Sequence, residues 1–358
     1  AAPSSATSDL FLEKDKVIRF GHLVNAVPGS VAGLLKAHKD HGSLSLDDLL
    51  KPAISLAQDG FEVTHDLNYV LEWGKESMLA NQASKDKFYD LNDAPVQVRS
   101  ILKQPNLAKT LFKIGKKGSE IFYKGEIAKW ISEESLSSGG LITMEDMASY
   151  KAKLREPIET SYRGYRVVTM PPAASGGLVL LQTLNILENF DLKELGHNSA
   201  KTVHLLSESM QRAYADRAAY HGDPDYYEVP VKQMLNRQYS KDLADQISET
   251  RTPDGQIFAG DLRKYDESPD TTHFSIIDSK GNAVSNTYTL GSSFGSGVTI
   301  EKGGFLMNNQ MRNFSHFYGR EDAKFGTSEA NKLEPGKRMI STQTPTLVFK
   351  PDGQLLMI

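Results

Sequence analysis

Two short segments of the sequence carry residue types that could supply the nucleophile of an acyl transfer. The first contains Thr271, which opens a strand-like run after a mostly helical stretch. On composition alone, a threonine at the start of a strand needs no catalytic role. The second, Gly291–Gly295, has the Gly-x-Ser-x-Gly pattern around Ser293. That pattern indicates a nucleophile where a strand precedes it and a helix follows. Here β-type residues and glycines follow, so a serine hydrolase built on Ser293 is the weaker hypothesis.

Composition argues against several other kinds of chemistry. The 358 residues include no cysteine, which excludes disulfides, thiolate metal sites and cysteine nucleophiles. The nine histidines are scattered, and His38 and His41 lack the i, i+4 spacing of a helical zinc site. The formal net charge of −4 does not suit a nucleic-acid partner. The sequence has no run of about 18 apolar residues, the length that a membrane-spanning helix requires. We therefore expect no metal, no other cofactor, no nucleic acid and no membrane helix.

The elements before about residue 270 are predicted to be mostly helical. Apolar residues recur at helical spacing from Val31 onward, and Thr143 lies three residues before Asp146, as in an N-terminal capping box. A strand is predicted at Tyr165–Met170, followed by an apolar helix. A long helix is predicted over Ala200–Ala218, with Val203, Leu206, Met210 and Ala213 on one face.

Beyond about residue 270 the pattern changes to strands. His273–Asp278 and Ala283–Thr289 flank four turn residues, which predicts a hairpin. A second hairpin is predicted around Pro351–Gly353, and its last strand reaches Ile358. The polar stretch Ser315–Lys337 is interpreted as a long surface loop.

Motifs along nearly the whole chain occur in the order of one known family. In the helical part they are Val27–Gly33, Phe122–Gly125, Gly139–Thr143, Pro171-Pro172 with Ser175–Gly177, and Tyr214–Arg217. In the β part they are Thr271–Ser275, Gly281–Val284, Thr287–Thr289, Asn308–Met311, Lys337-Arg338 and Ser341-Thr342. With these motifs the chain resembles the γ-glutamyltranspeptidase family, whose members are N-terminal-nucleophile hydrolases. Each motif is weak alone, but their common order is specific.

The resemblance implies an α+β fold, a four-layer αββα sandwich of the N-terminal-nucleophile hydrolase type. Residues 1–270 would form most of a large subunit and residues 271–358 the first part of a small subunit, around one shared core. The family's carboxylate-binding arginine is expected just upstream of Ala1. Its Gly-Gly pair, which supplies oxyanion-hole amides, is expected soon after Ile358.

The resemblance also implies that the precursor cuts itself between Asp270 and Thr271. The Thr271 hydroxyl would attack the preceding carbonyl, and water would open the resulting ester and free the Thr271 amine. An α-amino group, whose ordinary pKa is about 8, can then act as base for the hydroxyl of the same residue. Thr289, on the next strand, is implied to hydrogen-bond and orient that hydroxyl.

The implied reaction moves a γ-glutamyl group from a donor such as glutathione to Thr271. Water or the amine of an amino acid or peptide then accepts the group. Gln310, Asn313, Ser341 and Thr342 are implied to hold the donor's α-amino and α-carboxylate groups. Two subunits from one precursor, and a place in the periplasm or outside the cell, follow from the same resemblance.

Three positions depart from the family pattern. Asn313 stands where the family often has aspartate, and Gly291 where many relatives carry a polar residue that contacts the amino group. Thr342 replaces a serine and keeps the hydroxyl. Losing a charge and a polar contact weakens recognition of an α-ammonium group. Two alternatives therefore stand beside the γ-glutamyl reading. One is a relative with altered acyl specificity, such as a glutaryl acylase or a poly-γ-glutamate processing enzyme, and the other is a non-catalytic homologue.

Overall fold

The computed structural model describes residues 1–13, 16–253, 256–257, 272–318 and 328–358. Within these ranges the α-helices are α1 (Ser30–His41), α2 (Leu46–Asp59), α3 (His65–Trp73), α4 (Lys75–Leu79), α5 (Gln82–Phe88), α6 (Pro105–Tyr123), α7 (Glu126–Ser137), α8 (Met144–Ser149), α9 (Gly176–Leu187), α10 (Leu192–Leu195), α11 (Ala200–Tyr220), α12 (Val231–Met234) and α13 (Arg237–Ala244). Short 3₁₀ helices cover Ser8–Phe11, His22–Val24 and Gln310–Asn313.

The strands are antiparallel and short. They are β1 (Leu12–Glu13), β2 (Lys16–Val17), β3 (Phe61–Glu62), β4 (Ile101–Leu102), β5 (Ile158–Tyr162), β6 (Tyr165–Thr169), β7 (Thr272–Ile277), β8 (Ala283–Tyr288), β9 (Thr299–Ile300), β10 (Phe305–Leu306), β11 (Thr346–Phe349) and β12 (Leu355–Met357). A four-stranded sheet has the order β12-β11-β6-β5, and β7 and β8 form a hairpin. The Thr346 amide donates to Ser285 Oγ at 3.2 Å, which joins that hairpin to β11.

Helix α9 covers the four-stranded sheet and is itself covered by α11 and α13. Its side chains Leu178, Leu181 and Ile186 are fully buried, as expected of a strongly apolar helix. α9 is only 12 residues long. In the ranges given above, no helix combines the length and the apolar character that crossing a membrane requires.

One buried cluster contains residues from both ends of the chain. Val27, Ile114 and Ile131 of the helical part pack with Ile300 and Met307 of the β part. These two parts of the sequence therefore fold around common apolar side chains. The expected boundary between Asp270 and Thr271 lies outside the described residues.

The main sequence expectations on helices and hairpins are confirmed. The helices predicted from apolar spacing occur as α1, α2, α9 and α11, and the hairpins occur as β7–β8 and β11–β12. The capping box is present: Asp146 N donates to Thr143 Oγ1 at 3.1 Å, and Thr143 N donates to Asp146 Oδ2 at 3.0 Å.

Two sequence interpretations are only partly correct. The described part of Ser315–Lys337 has no helix or strand, as expected of a loop, but it is not exposed throughout, because Ser315, Asn331 and Lys337 are buried. Of the four residues that the sequence places on one face of α11, Ala213 is buried, whereas Val203, Leu206 and Met210 are exposed. The buried side of α11 holds charged residues such as Glu208 and Arg212 beside apolar ones such as Leu205.

Candidate active site

A cleft of about 690 Å³ lies where the end of β8 meets the 3₁₀ helix Gln310–Asn313 and the segment before β11. Its wall includes Thr289, Gln310 and Ser341, three of the residues singled out in the sequence. Apolar side chains from α1 and α6, such as Leu34 and Ile114, line another part of it. A largely apolar cleft with a few convergent polar groups is the usual form of a small-molecule site.

Thr289 directly follows β8 and is half-buried. Its Oγ1 accepts a hydrogen bond from the Gly291 amide at 2.9 Å, which fixes the position of the oxygen at the turn. In the hairpin, Thr272 pairs with Tyr288, so the first described residue of β7 lies beside the end of β8. Thr271 and Asp270, the predicted nucleophile and cleavage site, lie outside the described residues.

Gln310 and Asn313 form a neutral hydrogen-bonded pair at the 3₁₀ helix. Asn313 Nδ2 donates to Gln310 Oε1 at 3.1 Å, and Asn331 Nδ2 donates to the Asn313 carbonyl at 2.7 Å. Gln310 lines the cleft, whereas Asn313 is not among the described residues of its wall. Asn313 therefore influences the cleft through the orientation of the Gln310 amide.

Ser341 lies in an extended segment held against the residues just before α9. Its amide donates to the Ala173 carbonyl at 3.3 Å, and Ala174 forms a parallel bridge with it. Thr342 is half-buried, and its carbonyl accepts from Thr344 Oγ1 at 2.9 Å. Of this predicted pair, Ser341 is in the described wall of the cleft and Thr342 is not.

The cleft ends at a group of charged side chains. Lys153, Arg155 and Arg338 line it, and they surround the carboxylates of Asp223 and Asp225. The hydrogen bond from Arg155 lowers the pKa of Asp225 to about 2, so this carboxylate stays ionised at neutral pH. Three cations and two carboxylates leave an excess of one positive charge in this group, which suits an anionic ligand group.

Ser293 does not have the surroundings of a serine nucleophile. It is exposed, and turn residues lead from it to β9, where a nucleophile elbow requires a helix. The structure therefore agrees with the sequence that a serine hydrolase built on Ser293 is the weaker hypothesis.

Gly291 has neither the backbone nor the space for a side chain. Its φ is +103°, a conformation that L residues rarely adopt. A Cβ at this position would overlap Asn309 Oδ1, the acceptor of the Ser292 amide. The backbone conformation and the closeness of Asn309 therefore explain why this position carries no polar side chain.

We expect Gly291→Ala to lower the free energy of unfolding by about 2 to 4 kcal/mol, since backbone strain and overlap with Asn309 act together. Gly281→Ala is the matched control, because Gly281 has φ +83° but open space around its Cβ position. That variant should lose only about 1 kcal/mol, from strain alone. Urea unfolding of both variants measures the difference, and equal losses would contradict the steric argument.

The sequence as a whole is similar to one known family. The family model described as Gamma-glutamyltranspeptidase matches residues 1–358. The chain belongs to the γ-glutamyltranspeptidase family. A curated relative from Escherichia coli strain K12, named glutathione hydrolase proenzyme, is 41% identical over 365 residues. That alignment covers all of this chain and 62% of the relative, so the chain spans less than two thirds of the length of such family members.

Solved structures of this family and of acylases share the fold. A cephalosporin acylase from Bacillus halodurans matches with a TM-score of 0.85 and 30% identity, over 99% of this chain and 63% of that one. The γ-glutamyltranspeptidase of Helicobacter pylori matches with a TM-score of 0.69 and 40% identity, over 72% of this chain and 75% of that one. The predicted α+β fold of the N-terminal-nucleophile hydrolase type is confirmed by these neighbours.

Sequence reasoning missed Ser175, which contacts the predicted site, and Arg217, which contacts Ser175. Ser175 and Arg217 occur in family motifs, but the resemblance implies no role for either. Ser175 donates from its amide and from its hydroxyl to the Ser341 carbonyl, and Arg217 donates to Ser175. Sequence spacing could not predict that these two residues meet, because Ser175 lies at the start of α9 and Arg217 lies inside α11.

Proposed function

We propose that this chain is part of a γ-glutamyltransferase and glutathione hydrolase that uses Thr271 as its nucleophile. The observation that carries the proposal is that one cleft, beside the start of β7, brings together Thr289, Gln310 and Ser341. The family resemblance implies a role for each of these three residues. Apolar walls, a few convergent polar groups and an end with excess positive charge suit a small acidic acyl donor.

The proposed reaction has two stages. In the first, the Thr271 hydroxyl attacks the carbonyl of Asp270, its proton passes to the Thr271 nitrogen, and the peptide bond is replaced by an ester. Water hydrolyses the ester, which leaves a carboxylate on Asp270 and a free amine on Thr271. One precursor thereby gives a large subunit ending at Asp270 and a small subunit beginning at Thr271.

In the second stage the Thr271 amine takes the hydroxyl proton while the oxygen attacks the γ-carbonyl of a donor such as glutathione. The donor's amine leaves with that proton, and a γ-glutamyl ester of Thr271 remains. Water or the amine of an amino acid or peptide then attacks the ester and regenerates the hydroxyl. Two half-reactions through one acyl-enzyme should give double-displacement kinetics.

The proposed roles of the other residues follow from their places in the cleft. Thr289 would orient the nucleophile, and its Oγ1 is held for this by the Gly291 amide. Gln310 would contact the donor's α-amino group, with Asn313 fixing its amide. Ser341 and Thr342 would hold the α-carboxylate. Export to the periplasm or outside the cell remains part of the proposal by family resemblance.

Thr289→Val tests the proposed arrangement in the gene product that contains this chain. Valine keeps the shape of threonine but removes the hydroxyl, so kcat for γ-glutamyl-p-nitroanilide should fall about 100-fold. Thr289→Ser keeps the hydroxyl and should retain most of the activity. An unchanged kcat in Thr289→Val would contradict the orienting role, and a wild-type protein without any turnover would contradict the proposed function.

A second candidate function is acylase activity toward a donor that lacks the α-amine, such as a glutaryl group. It is favoured by the neutral Gln310–Asn313 pair and by the lack of room for a side chain at Gly291. The cephalosporin acylase neighbour shares the fold. Rates on γ-glutamyl-p-nitroanilide and glutaryl-p-nitroanilide, measured side by side, separate the two donors. A precursor that never cleaves would favour the non-catalytic homologue.

A further inference from the structure

A buried hydrogen-bond chain runs from α11 to the cleft. Arg217 Nε donates to Ser175 Oγ at 2.8 Å, and Ser175 Oγ donates to the Ser341 carbonyl at 3.0 Å. The Ser175 amide donates to the same carbonyl at 2.6 Å. We call these three residues the Arg217–Ser175–Ser341 chain.

The direction of each bond is set by the chemistry of the groups. A guanidinium only donates, so the Ser175 hydroxyl must accept from Arg217 and can direct its own hydrogen to Ser341. The Ser341 carbonyl then has two donors from one residue. Two bonds from fixed directions restrict rotation of the peptide group that links Ser341 to Thr342, and with it the position of the Ser341 side chain.

The Ser175 side chain makes these bonds and does not cap the N-terminus of α9. It is the N-cap residue of α9, where a serine oxygen usually accepts from a helix amide, yet it makes no side-chain cap bond. Such caps typically contribute about 1 kcal/mol. The hydroxyl is instead engaged by Arg217 and Ser341, which indicates that its position serves the contact with the cleft segment.

Burial strengthens the hydrogen bonds of the Arg217–Ser175–Ser341 chain and restricts the movement of these side chains. Ser175 is fully buried and Arg217 is 4% exposed, and hydrogen bonds are stronger in such surroundings than in water. The next residue, Gly176, approaches the cleft segment so closely that a Cβ would overlap Thr344 Oγ1 and the Thr342 carbonyl. The start of α9 and the segment around Ser341 are therefore fitted to each other on both sides of Ser175.

We propose that Ser175 and Arg217 are positioning residues that hold Ser341 where it binds the carboxylate of the acyl donor. This inference rests on the proposed function, because it assigns Ser341 to the donor. Neither residue contacts the reacting atoms. Their effect is on the place of the Ser341 hydroxyl in the cleft.

The first test is the steady-state kinetics of the Ser175→Ala variant of the gene product that contains this polypeptide. A misplaced Ser341 weakens binding of donor and transition state alike, so the KM for γ-glutamyl-p-nitroanilide should rise about 5- to 10-fold. The value of kcat should change by less than about twofold. Ser209→Ala is the matched control, because Ser209 is a fully buried serine on α11 whose Oγ has no hydrogen-bond partner among the described residues. That control should leave both constants unchanged.

The decisive measurement is a double-mutant cycle with Ser341→Ala. If Ser175 acts through the Ser341 side chain, then Ser175→Ala should raise KM by less than about twofold once Ser341 is already alanine. Effects that multiply in the double variant would overturn the inference. So would a fall in kcat at unchanged KM in Ser175→Ala, since that is the pattern of damage to the chemical step.

Arg217 supplies a second line of test if Ser175→Ala does not fold. Arg217→Lys keeps a cation that can reach Ser175 Oγ, whereas Arg217→Met does not, so KM should rise in the order wild type, lysine, methionine. Equal KM values for the three proteins would overturn the inference. Failure of the proposed function has a different signature: the wild type shows no turnover, or Ser341→Ala leaves KM unaltered, and either result also removes the basis of the inference.

Discussion

Replacement of Thr271 by alanine is expected to leave the gene product as one uncleaved chain and to abolish acyl transfer. The alanine side chain has no hydroxyl to attack the Asp270 carbonyl, so no ester forms and no amine is released at residue 271. Nucleophile and base are lost together, because the proposed mechanism draws both from this residue. We expect turnover of γ-glutamyl-p-nitroanilide to fall on the order of 10⁴-fold or more.

Intact-mass measurement after incubation at neutral pH shows the first part of this result directly. The wild type should give two fragments that meet between Asp270 and Thr271, and Thr271→Ala should give one chain. Thr271→Ser is the matched control, since it keeps a hydroxyl and should still cleave, with activity partly retained. Cleavage at the same bond in Thr271→Ala would contradict the mechanism. One intact chain in wild type and variant alike would favour the non-catalytic homologue.

The local rules of helix formation made much of the fold predictable. Apolar residues at helical spacing indicated α1, α2 and α9, and the pair Thr143 and Asp146 marked the start of α8 with the bonds expected of a capping box. The turn residues 279–282 likewise indicated the β7–β8 hairpin. These features depend on residues close together in the sequence, which is why single-sequence reasoning could reach them.

Helix α11 shows why the packing of an element was less predictable. Its buried side holds Glu208 and Arg212, which form an ion pair of 2.8 Å with both side chains almost fully buried. Arg212 also donates to the Gln246 carbonyl at 3.0 Å, and the Thr252 amide donates to Glu208 at 2.9 Å. Buried charges are tolerated only with such partners, and those partners lie 34 and 44 positions away. The apolar spacing of Val203, Leu206 and Met210 therefore did not mark the buried side of the helix.

The solvent exposure of Ser315–Lys337 was difficult to predict for the same reason. A charged composition suggested solvent exposure, yet the Lys337 side chain is fully buried. Its Nζ donates to Glu334 Oε1 at 3.0 Å and lies 5.7 Å from the centre of the Tyr226 ring. A cation with a carboxylate and an aromatic face can be buried at acceptable cost. The sequence contains these partners but does not show that they meet.

Family resemblance predicts the residues of the candidate site, and the structure places only some of them in the cleft wall. Thr289, Gln310 and Ser341 converge on one cleft, whereas Asn313 and Thr342 stand beside residues of its described wall. Ser175 and Arg217 had no assigned role, because the contacts that connect them to Ser341 span 166 and 42 positions. A site assembled from distant segments cannot be derived from spacing alone.

Substitution of Asn313 by aspartate is expected to shift donor preference toward groups that carry an α-ammonium. In the present pair Asn313 Nδ2 donates to Gln310 Oε1, and Gln310 Nε2 lies on the side of Gly291. A carboxylate at residue 313 can only accept, so the Gln310 amide should turn and donate its Nε2 hydrogen to it. Gln310 Oε1 then becomes available to a substrate ammonium, and the new negative charge attracts the same group.

Both consequences favour γ-glutamyl over glutaryl donors. Hydrogen bonds to charged groups contribute about 1.5 to 3 kcal/mol. The ratio of kcat/KM for γ-glutamyl-p-nitroanilide to that for glutaryl-p-nitroanilide should therefore rise roughly 10- to 100-fold. Asn92→Asp, which adds the same charge at an exposed position outside the cleft wall, should leave the ratio unchanged. A ratio that also stays constant in Asn313→Asp would mean that the Gln310–Asn313 pair does not face the donor's amino position. The substrate preference would then have to be set by other residues of the cleft, and the neutrality of this pair would no longer favour an acylase.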